Sequence, residues 1–488
     1  MNSIKRKAKI NLSGKEFRKL GYELTDKIAD LLDDMGNNKV TSGLSPLEIR
    51  NLLKSESGLN EHGEESKSII NRAAELLIQH SLFNGHPRFW GYITSSPAPL
   101  GILADYLASA INPNAGGWTL SPVATEIEMQ TIRWIGELIN YKAEGGILVS
   151  GGNMANFVGF LAGTRAKLGQ DIRKFGLAGR TPRIYCSAET HTWIQKAADL
   201  FGFGTDATVW IPTNANQQMD QEVLLRSIEK DKNHGNEPIM VIGTAGSVST
   251  GAIDPLHEIG RICKEHNLWY HIDGAYGGFA ACLPERFPEM EAFKEADSIA
   301  VDPHKWLYAP LEAGCTLVKY AHTLPDAFSY HPPYYHFGVE AVNFVDNGFQ
   351  NSRGFRALKV WMMLQQAGSA GYKEMISEDC DLAGHLYDIL PKFEELERFT
   401  HSLSITTFRY VPPELKGSKE TKLEYLNELN KGIQAKLEVG GDFFVSNAVI
   451  KDVYLLRMCI VNFRTSKFDV EALPERVIEI GKELHKHS

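Results

Sequence analysis

The chain has 488 residues, 43% of them apolar and 23% charged, with a formal net charge of −9. That length predicts two or three structural units rather than one simple core, and the composition is that of an ordinary soluble globular protein. Net negative charge with scattered basic residues removes any electrostatic reason to expect nucleic acid or anionic membrane as a partner, and no uninterrupted apolar run could span a bilayer.

The N-terminus, Met1-Asn-Ser-Ile-Lys-Arg-Lys-Ala-Lys-Ile10, is basic but leads into no apolar run of the secretory type. Residues 1–85 then read as helices. Phe17, Leu20, Leu24, Ile28 and Leu31 recur at three- and four-residue spacing, and Ser13-Gly-Lys-Glu16 has the form of a capping box. Ser45-Pro-Leu-Glu48 repeats the signal with Pro at the first helical position. The segment has too few apolar residues to fold alone and is expected to pack on the main domain or on a second subunit.

From about residue 145 short β-branched runs alternate with amphipathic stretches. Strands are predicted over 146–150, 183–187, 208–211, 239–244, 268–272, 298–301 and 315–319, with helices over 153–168, 190–201, 221–231 and 255–265 between most of them. Alternation of this kind predicts an α/β fold with a mostly parallel sheet covered by helices on both faces. A long helix from 355 to about 370 leads into a third region. There, strands over 403–409, 442–446 and 453–461 and helices near 420–437 and 470–484 predict a small α+β unit.

Five strand ends carry the chemistry. Leu268-Trp-Tyr-His-Ile-Asp273 ends in an acid, and Ser298-Ile-Ala-Val-Asp-Pro-His-Lys-Trp306 places Lys305 just past a second strand. An acid and an amine so placed suit pyridoxal phosphate, whose aldehyde condenses with a lysine and whose ring nitrogen works best paired with a carboxylate. The strand over 146–150 runs into Gly151-Gly152-Asn153-Met154, a turn through which backbone N–H groups can approach a phosphate at a helix start. The turn lacks both G-x-G-x-x-G and the Walker lysine, which lowers dinucleotide and nucleoside triphosphate readings. His191 and Thr244 also follow strands. Each alone is compatible with a structural role, but in open α/β sheets ligands collect at the carboxyl ends of strands. The six cysteines (Cys186, Cys263, Cys282, Cys315, Cys380 and Cys459) form no C-x-x-C pair and read as buried thiols of a reducing, cytoplasmic compartment.

At this point the chain resembles a known family, the group II pyridoxal-phosphate-dependent amino acid decarboxylases of fold type I (aspartate-aminotransferase-like), and in particular the aromatic-L-amino-acid decarboxylases. The likeness is carried by His86-Pro-Arg-Phe89 with Tyr92, Ser121-Pro-Val-Ala-Thr-Glu-Ile-Glu128, the Gly151 turn, the His191 segment, Asp273-Gly-Ala-Tyr276, Asp302-Pro-His-Lys305 and Arg353-Gly-Phe-Arg-Ala-Leu-Lys359. It implies a large cofactor-binding domain over 86–365 with a mostly parallel seven-stranded sheet, a small α+β domain over 366–488, and a homodimer with the helical segment 1–85 at its interface.

Residue by residue, the resemblance implies that Lys305 holds pyridoxal 5'-phosphate, that Asp273 pairs with its ring nitrogen and that Ala275 lies under the ring. His191 would stack on the opposite face and orient the substrate carboxylate. Gly152, Asn153, Met154, Thr244, Asp302 and His304 would complete the cofactor site. Aromatic-acting relatives carry Asn where this chain has Asp302, and a carboxylate beside a phosphate needs a compensating donor or proton. The proton returned to Cα comes, in the family, from a loop tyrosine. In Phe328-Ser-Tyr-His-Pro-Pro-Tyr-Tyr-His336, counting back from Arg353 lands on Tyr330, with Tyr334 and Tyr335 as rivals because loops admit insertions. Relatives with Phe at that position tend toward aldehyde formation, so Tyr330 favours simple decarboxylation.

Tyr92 and Trp118 match aromatic-acting relatives, whereas Ile93 replaces a bulky aromatic and the 112–117 stretch, with Asn114 and Gly116, is small and polar. No arginine in that stretch offers a carboxylate clamp. The expectation is therefore decarboxylation of an aromatic L-amino acid, the alternatives being glutamate or 2,4-diaminobutyrate as substrate, or a decarboxylating aldehyde synthase.

Overall fold

Both N-terminal capping boxes form. In the computed structural model, which describes residues 8–331, 341–413, 415 and 418–486, Ser13 accepts the Glu16 N–H while Glu16 accepts the Ser13 N–H at 3.0 Å, and Ser45 and Glu48 do the same. They start the helices Gly14–Asp33 and Pro46–Leu53, neither of which buries a single residue; the next, Ser66–His80, buries only Ala74. The apolar stripe of the first helix thus meets no core of its own chain, although the Phe17 ring stacks on Tyr106 at 6.3 Å.

The α/β expectation is met by a seven-stranded sheet of β2 (Gly145–Val149), β3 (Pro182–Ser187), β4 (Thr208–Ile211), β5 (Glu237–Thr244), β6 (Trp269–Gly274), β7 (Ser298–Val301) and β8 (Gly314–Val318), in the order β2-β8-β7-β6-β5-β3-β4. Strands β3 to β7 pair in parallel, and β8 alone runs against its neighbours β7 and β2. Strands β6 and β7 are buried along their whole length, as a sheet covered on both faces requires. The helix Gly152–Leu168 crosses one face closely enough that a Cβ on Gly159 would stand 2.5 Å from the His271 ring. Two helices not marked by strong amphipathicity, Pro99–Ile111 and Pro122–Leu138, pack with the long helix Ala357–Ile389, which kinks at Gly368 where φ is 62°.

A second sheet has the order β1-β11-β12-β10-β9, from β9 (Leu396–Ser402), β10 (Ile405–Tyr410), β11 (Phe444–Ile450) and β12 (Val453–Cys459), with β1 (Phe89–Trp90) added in parallel to β11. Strand β9 was not predicted, because this edge strand is mostly polar and half-exposed and shows no apolar alternation. Among the described residues no helix is long and apolar enough to cross a membrane. The connections that follow β2, β3, β5, β6 and β7 all leave the same edge of the large sheet, and this edge holds the site.

Candidate active site

Lys305 is held by its backbone before its amine does anything. Strand β7 ends at Val301, and the Lys305 N–H donates to the Asp302 carbonyl at 2.8 Å as the short helix Pro303–Trp306 begins. On one side Ser95 donates to the His304 carbonyl at 2.7 Å. On the other, Trp306 and Tyr308 both donate to Asp379 Oδ2, at 2.9 and 2.8 Å, and Tyr276 stacks on the Trp306 ring at 5.0 Å. With its flanks bonded to three other parts of the chain, the turn has little freedom, and the Lys305 side chain leaves it into a cavity of about 280 Å³.

Asp273 enters the same cavity from the end of β6. Its Oδ1 accepts the Ala275 N–H at 3.1 Å and its Oδ2 accepts the Trp193 indole N–H at 2.7 Å. Trp193 is buried edge-on against His271, 5.9 Å between ring centres. Burial pushes His271 down to about 4, so it is neutral, and both its nitrogens are engaged, with Ser298 Oγ and Asn156 Oδ1 at 2.8 Å each. Asp273 is therefore fixed in direction by two donors, one of them backed by a buried polar network. Neither Trp193 nor Asn156 was singled out in the sequence. Trp193 lies two residues past His191 in the same strand-to-helix connection, and that placement was the available signal.

The Gly151–Gly152 turn closes the third side. Gly151 has φ of 116°, and a Cβ on Gly152 would meet Asp302 Oδ2 at 2.8 Å and Ala275 Cβ at 3.0 Å. The Gly152 N–H donates to Asp302 Oδ2 at 2.9 Å, while Asp302 Oδ1 is buried without a hydrogen-bond partner. Burial drives His304 down to about 4, helped by the Lys305 charge. Asn153 lines the cavity, whereas Met154 packs against the main core and contributes no lining side chain. His191 stands at the mouth, its pKa lowered first by desolvation and then by Lys305 and Lys196, with Asp273 opposing. Thr244 is anchored by its N–H on Asp254 Oδ2 at 2.9 Å, a carboxyl that burial raises to about 6.

Of the remaining candidates, Tyr330, Tyr92 and Trp118 do not line the cavity. Tyr330 is 68% exposed, with the Arg173 guanidinium 4.2 Å above its ring; Tyr334 and Tyr335 lie outside the described residues. The side chain of Tyr92 is largely exposed and rests on Phe444, and Trp118 donates its indole N–H to Glu126 at 2.9 Å. The sequence also gave no sign of Arg457, a buried guanidinium that donates to the Tyr92 carbonyl and to Ser446 while its Nε and Nη2 find no partner.

A glycine cradle at a helix start, a cavity amine and a fixed carboxylate are the three groups that pyridoxal phosphate needs, and the residues present fit it. The family model described as the pyridoxal-dependent decarboxylase conserved domain matches residues 46–410. The chain belongs to the pyridoxal-dependent decarboxylase family. It is 30% identical over 482 residues to the aromatic-L-amino-acid decarboxylase of Bacillus atrophaeus, covering 97% of each chain. It is 27% identical over 468 residues to a phenylacetaldehyde synthase of Petunia hybrida, covering 92% of this chain and 91% of that one. Among solved structures, Oryza sativa TDC with PLP and tryptamine shares the fold at a TM-score of 0.90 and 24% identity, over 98% of this chain and 100% of that one. The fold is type I, the cofactor is pyridoxal 5'-phosphate, and the activity is that of a PLP-dependent amino acid decarboxylase. At these identities the family leaves the substrate open.

Proposed function

We propose that this decarboxylase acts on aromatic L-amino acids and that its site works through Lys305, Asp273, His191 and the Gly151–Gly152 turn. The observation that carries the assignment of the site is the convergence of the Lys305 amine, the doubly hydrogen-bonded Asp273 carboxylate and the glycine turn on one cavity. Bound there, pyridoxal phosphate supplies the electron sink into which the Cα–carboxylate bond breaks as carbon dioxide leaves. Lys305 anchors the cofactor and is the amine that substrate displaces. Asp273, an anion aimed by Trp193 and Ala275, holds positive charge on the ring nitrogen. Ala275, with its small side chain, would leave room for the cofactor ring, and His191 covers the mouth and would orient the substrate carboxylate. Gly152, Asn153 and the start of their helix take the phosphate, with Met154 contributing through its backbone, and Thr244, Asp302 and His304 close the site around it. Tyr330, with Tyr334 and Tyr335 as rivals, returns a proton to Cα; for Tyr330 this requires its ring to leave the Arg173 guanidinium and turn toward the cavity.

Aromatic substrates are favoured by the 30% identity to an aromatic-L-amino-acid decarboxylase across nearly the whole chain, and Tyr92 and Trp118 are the residues proposed to meet the ring. The alternatives are glutamate or 2,4-diaminobutyrate as substrate, or a decarboxylating aldehyde synthase. The deciding experiment is a screen of L-amino acids for carbon dioxide release by wild type and Lys305→Ala. Release from tyrosine, tryptophan or dihydroxyphenylalanine, absent in the variant, is expected. Release from glutamate or 2,4-diaminobutyrate alone would overturn the substrate and leave the site standing. Ammonia and peroxide appearing with the carbon dioxide would identify an aldehyde synthase instead.

The proposed organisation is helical over 1–85, cofactor-binding over 86–365 and a small domain over 366–488, with two chains per molecule. The exposed apolar side chains Leu103, Tyr106, Leu107 and Ile111, beside a first helix with no buried residue, support a homodimer, which sedimentation analysis would test. Six buried free thiols support a cytoplasmic location, testable by cell fractionation.

A further inference from the structure

Asp302 is an unusual residue to find where a phosphate must bind. Its side chain is 2% exposed, and its Oδ2 already takes the Gly152 N–H that opens the helix Gly152–Leu168. The Lys305 amine is 3.6 Å from the same oxygen, and it is the group that the cofactor aldehyde would engage. Oδ1 has no hydrogen-bond partner. His304 Nδ1 is 3.0 Å from it, but that nitrogen is engaged with the Ala313 backbone and the ring is neutral near pH 7. The other titratable groups facing Asp302 are Asp273 from β6 and Cys315 from β8, and neither brings positive charge. The Gly151 turn presents only backbone. An ionised Asp302 would thus meet an incoming phosphate dianion in a dry site where the one nearby cation, Lys305, is itself engaged by the cofactor, and the two anions would repel each other.

We infer that Asp302 serves the phosphate as a neutral carboxylic acid, so that capture of the cofactor takes up one proton onto Asp302 and releases the Gly152 N–H to the phosphate. The acid O–H then donates to a phosphate oxygen as an amide N–H would. Burial, chiefly, places the Asp302 carboxyl at about 7 before any phosphate arrives, with Lys305 and the Gly152 N–H pulling down and Asp273 pushing up. The sign follows from linkage. Below about 7 the acid is already protonated and contributes no pH dependence. Above that, each pH unit costs about tenfold in cofactor affinity until the still higher pKa of the bound state is passed. The inference rests on the cofactor site proposed above and adds to it a titrating ligand.

The test is titration of the full-length protein with pyridoxal 5'-phosphate from pH 6 to 9, followed by cofactor absorbance and tryptophan quenching, for wild type and Asp302→Asn. The ratio of the two dissociation constants, wild type over variant, is expected to be near one at the acid end and to grow about tenfold per pH unit above pH 7, to roughly a hundredfold at pH 9. A ratio that stays constant across the range would overturn the inference. Phosphate-free pyridoxal provides a check on wild type alone, valid even if the variant folds poorly. Its affinity should lack the extra pH dependence, and the same dependence with pyridoxal would assign the proton to Lys305 rather than to the phosphate contact. If wild type binds neither compound at any pH, the cofactor site itself is wrong, an outcome distinct from a flat ratio.

Discussion

Arg353→Met should be among the most damaging single substitutions outside the cavity. The Arg353 and Glu128 side chains are each 1% exposed and form a bidentate pair, Nη2 to Oε1 at 2.5 Å and Nη1 to Oε2 at 3.1 Å. The same guanidinium donates to the carbonyls of Ala115 and Leu148 at 2.8 and 2.7 Å and lies over the Phe344 ring. Glu128 in turn accepts the Leu148 N–H at 2.9 Å. The pair therefore ties the helix Pro122–Leu138 and the segment around Ala115 to strand β2, which delivers the Gly151 turn to the cavity. Replacing Arg353 with Met strands a buried carboxylate with one donor, a loss on the order of 3–5 kcal/mol, since most of the cost of breaking such a pair is the uncompensated charge. Replacing both members, Arg353→Met with Glu128→Gln, removes the stranded charge and should recover about 2 kcal/mol of that loss. Urea denaturation followed by tryptophan fluorescence, at saturating cofactor, measures both variants. A single variant within about 1 kcal/mol of wild type, or a double variant no more stable than the single, would refute this account of the pair.

Three further outcomes follow from the same contacts. Trp193→Phe keeps the buried ring but removes the N–H that holds Asp273 Oδ2; with a charge-assisted bond worth roughly 1.5–3 kcal/mol, cofactor affinity should fall about tenfold at unchanged far-ultraviolet circular dichroism, and unchanged affinity would mean that Asp273 needs no indole. Gly152→Ala puts a Cβ 2.8 Å from Asp302 Oδ2 and should weaken cofactor binding by about tenfold or more through crowding of the cradle, read by the same titration. Asp379, raised by burial to about 7 against its Tyr308 and Trp306 donors, binds a proton in the folded chain that the unfolded chain has already lost. Stability should therefore decline from about pH 4 to 7 by up to about 1.4 kcal/mol per pH unit and level off above, and Asp379→Asn should remove that slope in denaturation measured across pH.

Much of the large domain is legible without coordinates. Strands β4 and β7 begin and end where β-branched runs do, and both capping boxes form as their Ser-x-x-Glu spacing requires, because these signals act over a few residues. What is missed is decided at longer range. The polar edge strand β9 is a strand because β10 offers it a ladder, and Phe89–Trp90 joins the C-terminal sheet across more than half the chain, beside Phe444. Arg457 is invisible to local reading for the same reason, since its neighbour Tyr92 comes from the other end of the sequence.

The order of strands and turns along the chain is enough to bring five of the candidate residues to one sheet edge. A parallel sheet delivers the residues after β2, β3, β5, β6 and β7 to one edge, so Gly152, His191, Thr244, Asp273 and Lys305 converge whatever the details of packing. How those groups are held and charged depends on contacts between segments far apart in the chain. Trp193 comes to lie on Asp273 and Asp302 on Gly152 through packing of separate strand ends. Burial, which is a property of the whole fold, then sets Asp302 near 7 and His304 near 4.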